Sequence, residues 1–177
     1  KPLEAFADLL WFPTGGGKTE AYLGVAAFTM GIRRLQGNLG GLDARRGLAV
    51  IMRYTLRLLT IQQFQRATTL ICAMEAIRRQ DTETWGEAPF TIGLWVGQRV
   101  TPNSTKESHE AVERERDGQF SIGSTPAQLT SCPWCGCEIA PGRDIVVDRD
   151  IGRTFIYCGD KLGKCEFCPH EGPRQRP

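Results

Sequence analysis

Residues Thr14-Gly15-Gly16-Gly17-Lys18-Thr19 constrain this chain more than any other stretch. Three consecutive glycines give a backbone without Cβ atoms, free to curl tightly and to enter left-handed torsions. Ahead of them Asp8-Leu9-Leu10-Trp11-Phe12 is a short apolar run that ends at Pro13 and reads as a buried strand. Behind them, from Lys18 to Arg34, the residues Ala21, Leu23, Ala26, Ala27, Met30 and Leu35 recur at helical spacing, which predicts a helix. Strand, glycine turn and helix together make a seat for a phosphate. The loop amides and the start of the helix point at the anion. Lys18 then reaches the β- and γ-phosphates, and the Thr19 hydroxyl ligates Mg²⁺. The expected ligand is ATP with Mg²⁺, bound by Thr14, Gly15, Gly16, Gly17, Lys18 and Thr19, with Lys18 and Thr19 in the catalytic roles.

The rest of the chain extends the same grammar. Gln36 to Arg46 carries three glycines, an Asn and an Asp, and reads as a loop. Gly47 to Arg53 reads as a second buried strand, Leu56 to Arg79 as a long helix, Thr91 to Gly97 as a third strand, and Ser104 to Arg116 as a polar helix capped by Asn103 or Ser104. Alternating strands and helices predict an α/β fold, a partial RecA-like P-loop parallel sheet with crossover helices. Near Pro126 the grammar changes to a Cys-, Gly- and Pro-rich stretch with no long helix. The expected domains are 1–127, the front of a nucleotide-binding domain, and 128–177, a small metal-binding insertion.

Composition narrows the setting. With 177 residues, 41% hydrophobic and 24% charged, the chain can bury a core. A net charge of +2 makes no case by itself for a nucleic-acid or membrane partner. There is no apolar run of 18 residues and no signal-peptide pattern. Seven cysteines, six of them between 132 and 168, argue for metal binding in a reducing compartment and against a disulfide framework. The expected location is the cytoplasm.

Several phrases resemble a known family. Pro13-Thr14-Gly-Gly-Gly-Lys18-Thr19-Glu20 resembles motif I of superfamily 2 helicases, which adds Glu20 to the nucleotide-binding set. Phe12 stands where the general phosphate loop has Gly, a relaxation that helicase-type loops share. Thr55-Leu56-Arg57-Leu58-Leu59-Thr60-Ile61-Gln62 resembles motif Ia, with Arg57, Leu59 and Gln62 matching and Thr55 and Leu56 departing from the pattern. In the family that element touches the nucleic-acid backbone, so the resemblance implies Arg57 and Gln62 as DNA phosphate contacts. The strand 91–97 and its exit Thr101-Pro102-Asn103-Ser104 stand where such motors carry the strand before motif Ib. The runs Asp8 to Gly24, Met52 to Thr60 and Cys132-Pro-Trp-Cys135-Gly136 are similar to the large helicase of bacterial DISARM anti-phage systems. That similarity implies a DNA helicase or translocase, with ATP hydrolysis coupled to movement on DNA in a defence complex with a partner subunit.

Cys132-Pro-Trp-Cys135-Gly136 has the form of a zinc knuckle, two thiolates two residues apart with a Gly easing the turn. Cys158, Cys165 and Cys168 offer the other half. Spacing alone favours Cys165 with Cys168. The family resemblance favours Cys158 with Cys165, because relatives tend to show a Cys, a short polar loop, then Cys-x-Phe. The expected set is Cys132, Cys135, Cys158 and Cys165, with Cys168 in reserve. Asp144 to Asp148 and Arg153 to Tyr157 alternate enough for a hairpin between the halves, giving a zinc-ribbon-like module. Four ligands with no open position make the Zn²⁺ structural, and so small a module needs that clamp to fold. Cys137, His170 and His109 read as spectators, and Cys72 as a core residue.

A motor of this class also needs four apolar residues followed by Asp-Glu. Ile145-Val-Val-Asp148-Arg149-Asp150 lacks the Glu and lies between the knuckles, so it does not qualify. The second acidic motif and the rest of the motor are expected beyond Pro177. The 177-residue piece is then expected to bind ATP weakly and to be inactive alone. Two rivals share parts of the pattern: a small-molecule P-loop kinase, and a non-enzymatic zinc-stabilised module that binds nucleic acid or protein.

Overall fold

The computed structural model of the chain describes residues 17–54, 57–119 and 123–168, with the side chains of 57–60 also left undescribed. Helix α1 spans Lys18–Gln36 and opens on Gly17, whose φ of 73° only glycine adopts readily. Glu20 in its first turn and Arg33 and Arg34 in its last suit the helix dipole. It stops at Gly37, whose N–H donates to the carbonyls of Arg33 and Arg34. A miniature hairpin occupies the stretch expected to be a plain loop. Strands β1 (Asn38–Leu39) and β2 (Leu42–Asp43) pair antiparallel across Gly40 and Gly41, both at positive φ as a two-residue turn demands.

Helix α2, Arg57–Gln80, is the longest element at 24 residues. The short α3, Thr82–Trp85, is capped by Asp81, whose carboxylate accepts the Thr84 N–H at 3.0 Å. Helix α4, Thr105–Arg116, is capped by Ser104, one of the two caps its sequence offers: the Ser104 hydroxyl accepts the Glu107 N–H at 3.2 Å, and the Glu107 carboxylate accepts the Asn103 N–H at 2.9 Å. Then come α5 (Pro141–Asp144), β3 (Ile145–Asp148) and β4 (Arg153–Ile156). The last two form the expected hairpin, in register Ile145↔Ile156 to Asp148↔Arg153.

The parallel sheet is a different matter. Among the described residues both sheets are two-stranded and antiparallel. The runs 47–53 and 91–97, expected as parallel strands, carry no ladder, and the expected first strand, Asp8 to Phe12, lies outside the described residues. Parallel strands sit covered on both faces. Here Leu48, Ile51 and Trp95 stand 71%, 78% and 100% exposed, while Val50, Met52, Ile92, Leu94 and Val96 are only half-buried, so neither run is covered on both faces by described residues.

A buried polar hub joins α1 to α2. Glu75 receives Arg78 through Nε at 2.8 Å and Nη2 at 2.6 Å, Arg79 Nε at 3.2 Å, and the Phe90 N–H at 3.0 Å. Arg34 of α1 lies over the Phe90 ring, 4.4 Å from its centroid, and donates to the Pro89 carbonyl at 3.0 Å. Its Nη1 is buried with no acceptor among the described residues. Burial pushes the Glu75 carboxyl upward, but Arg78, the Phe90 N–H and Arg79 outweigh it and hold the group below its ordinary value. Apolar packing concentrates elsewhere, in a cluster of Leu129, Cys132, Ile139, Cys158, Cys165 and Cys168 to which α2 contributes Phe64. Among the described residues no helix is long and apolar enough to cross a membrane.

Candidate metal centre and phosphate-loop helix

The chain reverses twice to assemble the cysteines. In the first knuckle the Gly136 N–H donates to the Cys132 carbonyl at 2.9 Å and the Cys132 N–H to the Cys137 carbonyl at 2.7 Å, with Gly136 at φ 78°. In the second, Asp160 does the turning. Its carboxylate accepts the N–H groups of Leu162, Lys164 and Cys165 at 2.9, 2.9 and 3.0 Å, and those bonds hold it below the usual carboxylate range. Its own N–H points at the Cys158 sulfur, 3.3 Å away. The β3–β4 hairpin sets the separation between the knuckles. The Tyr157 N–H bonds to the Asp144 carbonyl at 2.9 Å, just before Cys158. Asp144, buried, accepts Arg143 twice and the Ala140 N–H once, each at 2.7 Å. Gly159 sits so close to the first knuckle that a Cβ there would strike the Glu138 carbonyl and the Asp144 carboxylate.

The Sγ atoms of Cys132, Cys135, Cys158 and Cys165 all lie within 4.8 Å of one another. Cys132 to Cys165 is 3.9 Å and Cys135 to Cys158 is 3.3 Å. A tetrahedral ion with metal–sulfur bonds of about 2.3 Å requires sulfurs about 3.8 Å apart, so four close thiols of this kind can hold a structural metal ion. Three are buried and Cys135 is exposed. Burial pushes the Cys158 thiol up and the Cys165 thiol up to about 12. At Cys135 burial also acts upward, but the Cys137 N–H and the Cys158 thiol prevail and bring it down to about 7. A metal binding here must displace protons from the buried thiols.

The four expected ligands are the four brought together, in the pairing implied by the resemblance. The reserve, Cys168, is buried outside the group and donates to the Asp160 carbonyl at 3.4 Å. Cys137 neighbours Cys135 without joining the four, and burial raises the Cys72 thiol on α2 to about 11. Asp148, set aside as an acidic motif, serves the β3–β4 turn by accepting the N–H groups of Asp150 and Ile151, both at 3.1 Å.

Thr14, Gly15 and Gly16 lie outside the described residues. The residues after them match the expected helix start: Gly17 is left-handed, and Lys18, Thr19 and Glu20 form the first turn of α1. N–H groups at such a start have no intrahelical acceptor. Arg57 begins α2, its side chain undescribed, and Gln62 is exposed one turn on. Two contacts here have no signal in the sequence. Arg66 on α2 pairs with Glu20 on α1. Arg79 stacks 5.0 Å over the Phe167 ring and donates to the Glu166 carbonyl at 3.4 Å, pinning the second knuckle to α2. Arginines at helical spacing carry no mark of their partners. Asp160 is more legible, since Cys-Gly-Asp-x-x-Gly is a turn composition.

No family model matches the chain. In sequence it is 43% identical, over 145 residues and 77% of its length, to "DISARM protein DrmA" of Bacillus paralicheniformis, and that stretch is 13% of the relative's length. The identity supports a DISARM-related protein.

Proposed function

We propose that this chain is the ATP-binding portion of a DISARM-related helicase-type motor acting in anti-phage defence, with a zinc-stabilised module packed against its second long helix. The observation that carries the reading is the start of α1. A left-handed Gly17, preceded in sequence by two further glycines, delivers Lys18 and Thr19 into the first helical turn. A helix start of that composition receives phosphate through its amides, a lysine and a hydroxyl that ligates Mg²⁺. The DISARM-related sequence supports the defence role. In this reading ATP hydrolysis drives movement on DNA, a partner subunit joins the motor in a defence complex, and the setting is the cytoplasm.

Zinc fits the four thiols best among common metals, being borderline-soft and tetrahedral. Its task is to hold the fold, since four protein ligands leave no open position. The cluster also lends support to a second reading, a metal-stabilised binding module whose phosphate loop is idle. Nucleotide titration separates the two. Mg²⁺-ATP binding that falls roughly 10- to 100-fold in Lys18→Ala, the cost of one charge-assisted contact, is the outcome expected of the motor segment. Equal binding by the parent and Lys18→Ala would favour the idle loop.

A further inference from the structure

The four clustered thiols are not equally placed. Cys132, Cys158 and Cys165 are buried, whereas Cys135 is exposed, as are its neighbours Trp134 and Gly136. A small oxidant in solution therefore meets the Cys135 sulfur first. A metal takes its cysteine ligands as thiolates, and the thiolate is the form that attacks an oxidant. Metal loading thus keeps the exposed sulfur nucleophilic. The Cys158 sulfur stands 3.3 Å from it, within about 1.3 Å of disulfide bonding distance. The other close pair, Cys132 and Cys165 at 3.9 Å, is buried at both ends. Cys135 belongs to the first knuckle and Cys158 to the second, so a bond between them ties the same two turns that a metal would tie. An accessible thiolate beside a second sulfur that can resolve it is the arrangement of oxidant-responsive cysteines.

We propose that Cys135 is an oxidation site, and that a hydroperoxide exchanges the metal clamp for a Cys135–Cys158 disulfide across the two knuckles. The inference rests on the reading of the four thiols as a zinc site. The Cys135 sulfur attacks one peroxide oxygen: an S–O bond forms, the O–O bond breaks, and the departing hydroxide takes a proton from solvent to become water. The Cys158 sulfur then attacks the Cys135 sulfenic acid: the S–S bond forms, the S–O bond breaks, and a second hydroxide leaves as water by the same route. The sulfurs together give up an electron pair, and the peroxide is reduced by it. With half of its thiolates gone, the site no longer holds a structural ion. Cys137 and Cys168 lie outside the four and take no part. A dithiol reductant with zinc reverses the exchange.

The test adds hydrogen peroxide in molar excess to the reduced, zinc-loaded chain. A zinc-binding dye follows the ion, peptide mass spectrometry after alkylation maps the disulfides, and dimedone in a parallel sample traps sulfenic acid. The expected results are zinc release, a Cys135–Cys158 disulfide, a dimedone adduct on Cys135, and renewed zinc binding once dithiothreitol and zinc are added. Cys135→His offers a ligand nitrogen without a thiol, so it should keep zinc and release it roughly tenfold more slowly or slower still. Cys137→Ser and Cys168→Ser should release zinc at the parent's rate through the same bond. Zinc held by the parent in excess peroxide overturns the proposal. So does a disulfide of any other pairing, or release from Cys135→His as fast as from the parent. If Cys135→His fails to hold zinc, the parent's disulfide map alone decides. A reduced chain that takes up no zinc overturns the metal reading and the proposal together, whereas a loaded chain that withstands peroxide overturns the proposal and leaves the metal reading standing.

Discussion

From Leu129 to Cys168 the chain turns most of its sulfurs and many of its apolar side chains inward, though Cys135, Trp134, Ile151 and Leu162 stay exposed; from Lys18 to Gly97 it turns many of its apolar side chains outward. Ile145 is wholly buried, whereas Val25, Phe28 and Leu35 on α1, and Leu48, Ile51 and Trp95 beyond it, face outward. The first region is small and has only short strands. It closes because a metal site, a hairpin and two hydrogen-bonded knuckles are mutually consistent. The second has long helices, yet among the described residues it buries a polar hub in place of an apolar core. Helical propensity makes helices, but covering their apolar faces takes further layers.

The contrast predicts a graded set of responses. Cys158→Ser should have the largest effect. Binding of a structural zinc ion supplies about 10–16 kcal/mol in small zinc modules, so its loss should unfold the β3–β4 region while α1 and α2 remain helical. Elemental analysis with circular dichroism reads both, and Cys168→Ser should keep the metal. Loss of α1 and α2 helicity along with the metal would make the two regions one unit.

Next comes the hub. Glu75→Ala strands Arg78 in a buried site, and breaking a buried pair costs about 3–5 kcal/mol. Urea unfolding of the metal-loaded protein measures it, and metal content should not change. Because the folded protein holds Glu75 below its ordinary value of 4.5, its contribution is complete above that value and is lost as pH falls through the lower folded one. That part of the acid dependence should vanish in Glu75→Ala. The smallest effect belongs to Trp95→Ser, within about 0.5 kcal/mol, as suits a fully exposed side chain. A cost above about 1 kcal/mol would place 91–97 in a packed environment and bring the two regions closer in character.

Legibility divides along the same line. The Cys module is readable because alternation in 144–157 marks the hairpin and the family pattern picks Cys158 with Cys165, where spacing alone favours Cys165 with Cys168. Helices α1, α2 and α4 are readable from period and caps, down to Ser104. The strands 47–53 and 91–97 are not, because a short apolar run states that it can be a strand and does not supply the neighbour that would make it one. The β1–β2 hairpin escapes because a glycine-rich stretch reads as a loop, although the pair Gly40-Gly41 also suits a tight reversal. The Glu75 hub depends on residues from separate segments meeting in space, which no linear pattern announces.

Helix α2 runs about 36 Å at 1.5 Å per residue. One arginine pairs its first half with Glu20 on α1, and another fastens its last turn to the second knuckle. A rod tethered at two stations behaves as a connecting strut. The exposed Arg66–Glu20 pair is the looser of the two ties, whereas Arg79 also bonds Glu75 and the Glu166 carbonyl, so α2 is bound to follow the second knuckle more closely than it follows α1.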